Sequence, residues 1–577
     1  MLSMTFAGFT SSARELTFHG PMLQWHEDPT SRITITWVEE IAPDSKASAF
    51  WRRGEAGFGY GDGDDRTILS GMQKHYSRVY LAKSFDLDEL PSRSSLELRM
   101  RYDDAFVAWI NGVEVARSAN LTGQHNLAII RDSHEADQWE SFQIPAAQDL
   151  LREGSNLIHI EGHNSRSRSS DFSLHPVLKL GEKALIPEKS EWAFLAGMDP
   201  ERDWITQAPP VSIYGNLPQA DESDWVFGYR VRDSDLQLQS GKVEEDEFAK
   251  TGNPIFKVTL DSLLPDTSYE FSLFADNREV HAGWFLTAPA VLKNPMRFVA
   301  GGDMGTKDAI SACRLAGEED PQFALVGGDL AYANGIDAGK WYDWLDNWSQ
   351  YLVSPGGRAI PIVAGIGNHE MRRLRSSKKG APFYFSLFDL PRGDSNFTVD
   401  IGNYLSITLL DSNHAQKVED QTRWLERQLV KRQEIPHLFA AYHRPAWGTG
   451  VKENIKEIQE EWCPLFERFG VDCVFENDHH TYKRSHKLLN GRRDDRRGVL
   501  YLGDGAWGAE TRPILDRHLD REGARNYLAK WDSRHHIIVV TISPDGRKHY
   551  QAKSPGEGVF DEYSDVGTPP AVATGVN

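Results

Sequence analysis

Seven short apolar segments recur between residues 296 and 505, and each leads into a glycine or a polar residue. They read RFVAGGD, FALVGGDL, IPIVAGIGNHE, YLSITLLDS, HLFAAYHRP, VDCVFEND and GVLYLGDG. Amphipathic segments at 338–352, 419–433 and 454–469 lie between them. Apolar strands that alternate with helices predict an α/β domain whose strands are buried on both faces. We therefore assign residues 293–552 to one α/β domain.

The chain is too long for a single core, because its 577 residues exceed a typical domain of about 150 residues several times over. Hydrophobic residues make up 40% of it, which is enough for packed cores. Its formal charge of -20 repels nucleic acid and anionic membrane surfaces. We expect a multidomain globular protein without a nucleic-acid partner, and its oligomeric state stays open.

Cysteine content and the first residues bear on the cellular compartment. The three cysteines, Cys313, Cys463 and Cys473, are too few and too scattered for a disulfide framework. Residues 1–20 lack an apolar core of signal-peptide length, and no run of about 18 apolar residues occurs. The sequence predicts a soluble chain without a membrane span, and a signal trimmed or encoded upstream is compatible with export.

The N-terminal half has the pattern of β sandwiches. Short alternating strands separated by turns run over 46–184. Within them YDDAFVAWINGVEVAR, GSNLIHIEGHN and SSDFSLHP resemble the galactose-binding-like jelly rolls attached to bacterial extracellular proteins. Further on, LLPDTSYEF has the Leu264, Pro265 and Tyr269 spacing of a tyrosine corner, and its region resembles the later strands of a fibronectin type III sandwich.

These resemblances predict that one sandwich interrupts the other. A fibronectin type III-like domain needs early strands, which RITITW supplies, so its two segments are 20–45 and 185–292. The jelly roll at 46–184 is then an insertion that acts as a spacer or, as the alternative, binds a glycan. Residues 553–577 are rich in proline and glycine, which predicts a flexible tail.

Polar residues follow the strands of the α/β region where ligand sites form in open α/β sheets. They are Asp303, Asp329, Tyr332, Asn368, His369, His443, Asp478 and His480. Although they span 177 positions (480 minus 303), the carboxyl ends of parallel strands bring such residues to one edge. Carboxylates, a phenol, an amide and imidazoles without a thiolate favour iron, manganese or zinc. Their number suits two ions that share a bridging carboxylate, roughly 3.5–4 Å apart.

Five ordered motifs carry a family resemblance. GDMG, GDLAY, GNHE, YHRP and HTYKR, in this order, resemble the calcineurin-like metallophosphoesterases. The tyrosine three residues after Asp329 is similar to that of the purple acid phosphatase branch, which a fibronectin-like N-terminal domain commonly accompanies. The resemblance implies a four-layer α/β/β/α sandwich. It also implies a secreted or periplasmic hydrolase that cleaves small phosphomonoesters by attack of a metal-bound hydroxide.

The same resemblance implies a role for each candidate residue. A ferric ion would be held by Asp303, Asp329, Tyr332 and His480. A divalent ion (zinc, manganese or iron) would share Asp329 and be completed by Asn368, His443 and Asp478. His369 would be the catalytic group that contacts the phosphate or the leaving oxygen, and its neighbour Glu370 would orient a histidine.

The turn DHH departs from the family pattern, which has two histidines separated by one residue. Aligned on HTYKR, Asp478 takes the place of the first histidine. If the segment is extended, Asp478 and His480 face the metals and His479 points elsewhere. Asp478 is therefore the predicted second-site ligand, and a bulge that turns His479 inward is the alternative. An aspartate adds a negative charge that strengthens cation binding and reduces the Lewis acidity of the ion.

Two other functions stay open from the sequence. The first is a phosphodiesterase with the same metal centre, since the pocket walls decide between mono- and diesters. The second is a catalytically weak surface-binding protein that retains the scaffold. The sequence specifies neither the natural substrate nor the second metal.

Overall fold

The computed structural model describes residues 16–566 apart from internal gaps. The gaps are 41–51, 62, 64, 70, 71, 74, 75, 91–94, 124–127, 146–149, 167, 197–203, 207–224, 235, 276–277 and 374–376. The predicted boundary at residues 45 and 46 lies outside the described residues. The rest of the chain forms a strand-rich N-terminal region and a C-terminal α/β domain, which confirms the predicted multidomain architecture.

The first sandwich is built from two separate stretches of chain. One of its sheets contains Thr17–Gln24, Ile33–Glu40, Pro254–Leu260 and Glu244–Glu247. The facing sheet contains Gln239–Gly241, Trp225–Val231, Ser268–Ala275 and Arg278–Leu286. The Leu264 amide donates a hydrogen bond to the Tyr269 hydroxyl at 2.8 Å, which is the contact of a tyrosine corner. Assignment of this body to the fibronectin type III class stays a prediction.

Residues 52–196 form a second sandwich of two sheets. One sheet contains Glu140–Ile144, Leu96–Asp103, Phe172–Leu180, Phe58–Tyr60, Thr67–Ile68 and Lys183–Ile186. The other contains Arg52–Glu55, Glu191–Ala196, Arg78–Leu87, Gly154–His163, Ala105–Ile110 and Val113–Arg117. A small separate sheet pairs Leu121–Thr122 with Ile129–Ile130. The body extends past the predicted boundary at residue 184, because Trp192 and Phe194 are buried in its core.

The α/β domain consists of two sheets packed face to face. The larger sheet contributes Ile362–Ala364, Ala324–Val326, Met296–Gly301, Ile537–Ile542, Arg547–Ser554 and Gly558–Val566. The smaller sheet contains Phe397–Ile401, Leu405–Leu409, His437–Ala441, Cys473–Glu476, Leu500–Gly503, Tyr482–Ser485 and Leu528–Asp532. A hairpin pairs Leu488–Leu489 with Arg492–Arg493. The Phe298 ring lies 5.8 Å from Phe439 and 6.0 Å from Phe475, so the sheets share an apolar layer.

Helices cover the outer faces of both sheets. They span Ile310–Glu318, Ala338–Tyr351, Pro382–Leu387, Val418–Lys431, Lys456–Glu461, Cys463–Phe469, Asp516–Asp520 and Ala524–Tyr527. Leu425 and Leu429 share a buried cluster with Tyr442 outside the smaller sheet, whereas Trp341 and Trp344 belong to the core of the larger one. The predicted α/β/β/α layering is confirmed. The helix predicted at 454–469 is divided into two, with Pro464 in the first turn of the second.

The larger sheet continues without a break into the first sandwich. Gln24 pairs in parallel with Ile362, and the Trp25 amide donates to the Ile362 carbonyl at 2.9 Å. The helix Ala338–Tyr351 also packs against the strand Thr17–Gln24. These contacts attach the sandwich to the sheet that carries part of the candidate site.

Residues 558–566, predicted within the flexible tail, instead form an edge strand. Gly558–Val566 pairs with Arg547–Ser554 along its length. Asp561 accepts hydrogen bonds from the Tyr482 hydroxyl at 2.7 Å and from the Arg484 guanidinium at 2.7 and 3.0 Å. The pairing and these buried contacts outweigh the local proline and glycine content. Residues 567–577 lie outside the described part.

A search of the described residues for a membrane-crossing helix finds none of sufficient length and apolar character.

Candidate metal centre

The candidate ligands meet where the two facing sheets end. Strands of the larger sheet lead into Asp303, Asp329 and Asn368, and Tyr332 follows Asp329 by three residues. Strands of the smaller sheet lead into His443, Asp478 and His480. Ligand atoms of Asp303, Asp329 and His443 lie within 4.8 Å of one another. The fold therefore brings together residues that are far apart in sequence, as the strand pattern predicted.

Tyr332 and His480 adjoin Asp303 on one side of the centre. The Tyr332 hydroxyl donates to Asp303 Oδ1 at 3.2 Å and lies 3.0 Å from His480 Nε2. His480 Nε2 is 3.1 Å from Asp303 Oδ1. Its other nitrogen, Nδ1, lies 2.9 Å from the Glu510 carbonyl, which orients the ring toward the centre. A phenol, an imidazole and a carboxylate thus converge on one region.

His443 lies between Asp329 and Asp478 on the other side of the centre. His443 Nε2 lies 3.1 Å from Asp329 Oδ2 and 3.6 Å from Asp478 Oδ1. Asn368 begins a single 3-10 turn and lines the same cleft as Asp478. This group has donors of the kind predicted for a second ion.

Five of the candidate ligands have a left-handed backbone. The φ angle is 57° at Asp303, 54° at Asp329, 56° at Tyr332, 77° at Asp478 and 56° at His480. Such angles cost on the order of 1–3 kcal/mol each in non-glycine residues and persist where surrounding contacts enforce them. Strained backbone at five ligands is typical of a functional site.

Glu370 enforces the turn that carries Asp329. Its carboxylate accepts hydrogen bonds from the amides of Asp329 at 2.9 Å, Leu330 at 2.8 Å and Gly367 at 2.7 Å. Both of its oxygens therefore bind main chain, and the expectation that Glu370 orients a histidine is wrong. Burial and the charge of Asp329 raise the pKa of Glu370 to about 7.

The electrostatics of the centre favour a bound cation. Burial alone would lower the pKa of His443, yet the negative charges of Asp329 and Asp303 raise it well above its ordinary value. Burial and the same two charges raise the pKa of Tyr332. Within the described part of the chain, Asp329 Oδ2 and both His443 ring nitrogens are buried without a hydrogen bond of acceptable geometry. Because buried polar atoms are normally satisfied, these donors fit metal ions.

The DHH turn directs Asp478 to the centre and His479 away from it. His479 Nδ1 lies 3.3 Å from Asp504 Oδ2 and 3.2 Å from Thr449 Oγ1. A Cβ at Gly448 would collide with the His479 ring, so the ring occupies a closely fitted slot. The segment makes a left-handed turn at Asp478 and is not extended as predicted. The geometry nevertheless supports Asp478 as the ligand.

Comparing Asp478→Ala with His479→Ala tests this choice. We expect Asp478→Ala to weaken binding of the second ion by at least about 10- to 100-fold, the range seen when even a supporting contact to a ligand is lost. His479→Ala is expected to retain both ions and to lose stability, because it empties a packed slot. Metal content after dialysis against a graded chelator series measures the effect. Loss of the second ion in His479→Ala alone would show that the register is wrong.

Two charged residues without an assigned role contact the DHH turn or the residue after it. Asp504 accepts hydrogen bonds from the Thr449 amide and the Thr481 hydroxyl, both at 3.1 Å. Lys452 Nζ donates to Asp478 Oδ1 at 2.6 Å. Asp504 follows a strand and a glycine, as Asp303 and Asp329 do, so the same signal is sufficient to find it. No motif marks Lys452.

His369 lies beside Tyr332 with one nitrogen directed at the centre. Their ring centroids are 4.2 Å apart. His369 Nδ1 lies 2.6 Å from Asn334 Oδ1 and donates to it, which leaves Nε2 3.9 Å from Asp329 Oδ2. Burial lowers the pKa of His369. The ring is therefore held with Nε2 available to a molecule at the centre.

Two clefts adjoin the centre, each lined by different candidate ligands. A cleft of about 660 Å³ is lined by Tyr332 and His480 together with Arg512. A cleft of about 380 Å³ is lined by Asn368, His369, Asp478, Arg444 and Lys452. The centre is thus reachable from more than one direction.

Comparison with known proteins gives a consistent set of relatives. Residues 296–482 match the family model for calcineurin-like phosphoesterases. An uncharacterized protein of Mycobacterium tuberculosis is 28% identical over 282 residues, which cover 41% of this chain and 52% of that protein. Purple acid phosphatase 18 of Arabidopsis thaliana is 27% identical over 341 residues, which cover 56% of this chain and 71% of that one. The chain thus spans about half the length of the mycobacterial relative.

One solved structure is similar to this chain. It is the purple acid phosphatase PPD1 from yellow lupin (Lupinus luteus) seeds, which is 13% identical, with a TM-score of 0.49 and coverage of 92% of both chains.

Proposed function

Because residues 296–482 form a calcineurin-like phosphoesterase domain with purple acid phosphatases among its relatives, we propose that the chain is a dinuclear metal-dependent phosphatase of small phosphomonoesters. The observation that carries the proposal is the convergence of seven hard or borderline donors, the buried Asp329 among them, with five of the seven on left-handed backbone. A secreted or periplasmic location is part of the same proposal and rests on the family resemblance.

Two ions would be held by different parts of the donor set. The proposed ferric site consists of Asp303, Asp329, Tyr332 and His480. The proposed divalent site, for zinc, manganese or iron, consists of Asp329, Asn368, His443 and Asp478. A phenol suits a hard, highly charged ion. When bound, the ions lower the pKa of water and neutralise phosphate oxygens.

The side chains around the ions bind and orient the ester. His369 is fixed by its bond to Asn334, so its Nε2 faces the centre, where the imidazolium form can donate a proton to the leaving oxygen or stabilise charge there. The Tyr332 ring stacks on His369 and restricts its rotation. Arg444 lines the same cleft, where its positive charge attracts the anionic substrate.

Phosphodiester hydrolysis is the second candidate activity, and the paired clefts favour it. A phosphodiester carries two organic groups, and the two clefts provide a place for each. The third reading, a catalytically weak surface-binding protein, requires a damaged centre, whereas the candidate donors here lie close together.

Hydrolysis of an aryl phosphate and of a bis-aryl phosphate by the purified, metal-loaded chain tests the proposal. We expect kcat/KM to be at least about tenfold higher for the monoester, a difference of roughly 1.4 kcal/mol in transition-state stabilisation. A chelator should remove the activity, and iron with zinc or manganese should restore it. Preference for the diester would select the second candidate, and no hydrolysis of either ester would refute the enzymatic proposal.

A further inference from the structure

We propose that Lys452 offsets the negative charge that Asp478 brings to the second ion. The inference rests on the proposed function, in which Asp478 is a ligand of that ion. Its consequence is that the ion experiences a donor set close in net charge to one with a neutral imidazole at this position. Lys452 is thus a positioning and charge-balancing residue rather than a ligand.

The contact between the two side chains is direct and partly shielded from water. Lys452 Nζ lies 2.6 Å from Asp478 Oδ1, and the two side chains are 36% and 8% exposed. The same oxygen lies 3.6 Å from His443 Nε2. Lysine therefore pairs with the carboxylate oxygen that faces the centre. Low exposure of Asp478 limits the screening that weakens pairs at the surface.

Charge accounting explains why a lysine belongs here. A histidine at position 478 would be a neutral donor, whereas Asp478 contributes one negative charge next to those of Asp329 and Asp303. Lys452 supplies one positive charge and cancels the difference. The other charged residues that line this cleft, Arg444 and Glu453, are opposite in sign and leave the balance unchanged.

The charge balance between Asp478 and Lys452 affects both the affinity of the site for the second ion and the Lewis acidity of that ion. Each added anionic donor strengthens cation binding and reduces the ability of the ion to polarise water and phosphate. Without Lys452 the second ion would be held more tightly and would be a weaker Lewis acid. Asp478 without a cationic partner would have this effect, and with Lys452 beside it we expect an ion affinity and a Lewis acidity close to those of a site with a neutral imidazole.

The test measures the affinity of the second ion directly, by competition between a zinc chelator and the chain. We expect Lys452→Met to bind zinc about 10- to 100-fold more tightly than the unaltered chain, because one unit charge a few ångströms away is removed at an effective dielectric constant of roughly 20. Lys452→Arg keeps the charge and is expected to stay within about threefold of the unaltered chain. The double variant that combines Lys452→Met with Asp478→His is expected to bind zinc with an affinity similar to that of the unaltered chain.

Lys456→Met is the matched control. Lys456 lies exposed at the start of the helix Lys456–Glu461, four residues further along the chain, so its loss makes the same change in net charge. We expect zinc affinity within about twofold of the unaltered chain, since salt and water screen an exposed charge.

Weaker or unchanged zinc affinity in Lys452→Met overturns the inference. If the unaltered chain binds two ions and hydrolyses the ester, that result refutes the role of Lys452 alone. If the unaltered chain binds no second ion, the proposed function and the inference both fail.

Discussion

Asp329→Asn is expected to lower kcat/KM for an aryl phosphate by at least about 10³-fold and to release metal from both sites. Loss of one preorganised electrostatic contact costs roughly 10²–10³ in rate, and a bridging ligand serves both ions. Asp329 is fully buried, with Oδ2 3.1 Å from His443 Nε2. Its Oδ1 accepts a hydrogen bond from the His369 amide at 2.7 Å, and the carboxamide oxygen of asparagine can accept the same bond, so the change removes the charge and leaves this backbone contact in place. Steady-state kinetics and metal content measure the two effects.

Asp337→Asn is the control for this change. Asp337 caps the helix Ala338–Tyr351 by accepting from the Lys340 amide at 3.2 Å, and asparagine caps helices about as well. Activity and metal content are expected to match those of the unaltered chain. If Asp329→Asn keeps more than about a tenth of the activity, Asp329 does not bridge two ions.

Lys483→Met is expected to destabilise the α/β domain by about 3–5 kcal/mol, because it leaves a buried carboxylate unpaired. Lys483 forms an ion pair with Glu476, and both side chains are fully buried. Glu476 also accepts from the Tyr442 hydroxyl and the Ala446 amide at 2.7 Å, and Lys483 donates to the Trp447 carbonyl at 3.0 Å. The pair flanks the DHH turn on both sides. Thermal unfolding should show a fall in Tm of roughly 10 °C.

The surface pair of Arg493 and Asp495 provides the comparison. These side chains are 59% and 57% exposed, so Arg493→Met is expected to cost less than about 1 kcal/mol. Replacing both Lys483 and Glu476 with apolar residues should recover part of the stability, since no charge is then left buried. If Lys483→Met and Arg493→Met lowered the stability equally, the buried pair would not stabilise the DHH turn.

The sequence was sufficient to predict the α/β layering and the convergence of the ligands. Apolar strands that end in Gly-Asp specify both a buried sheet and the position of a side chain at its edge, as at Asp303 and Asp329. The resemblance to the purple acid phosphatase-like branch is confirmed by the family match and by relatives of that name. Whether the seven donors bind metal stays a proposal.

Contacts between distant segments were not predictable from local pattern. The strand Gly558–Val566 depends on pairing with Arg547–Ser554 and on the contacts of Asp561. The nearby glycines instead indicate a flexible segment. Glu370 binds main chain because the turn at Asp329 folds over it. Lys452 reaches Asp478 from a loop whose course the sequence does not specify. Each of these features is created by tertiary structure.

Metal analysis of the purified chain tests the central claim most directly. Elemental analysis after dialysis against metal-free buffer is expected to find about two ions per chain, one of them iron, and far less in Asp329→Asn. Fewer than about one tightly bound ion per chain, in protein that has been supplied with iron and zinc and is correctly folded, would contradict the dinuclear centre.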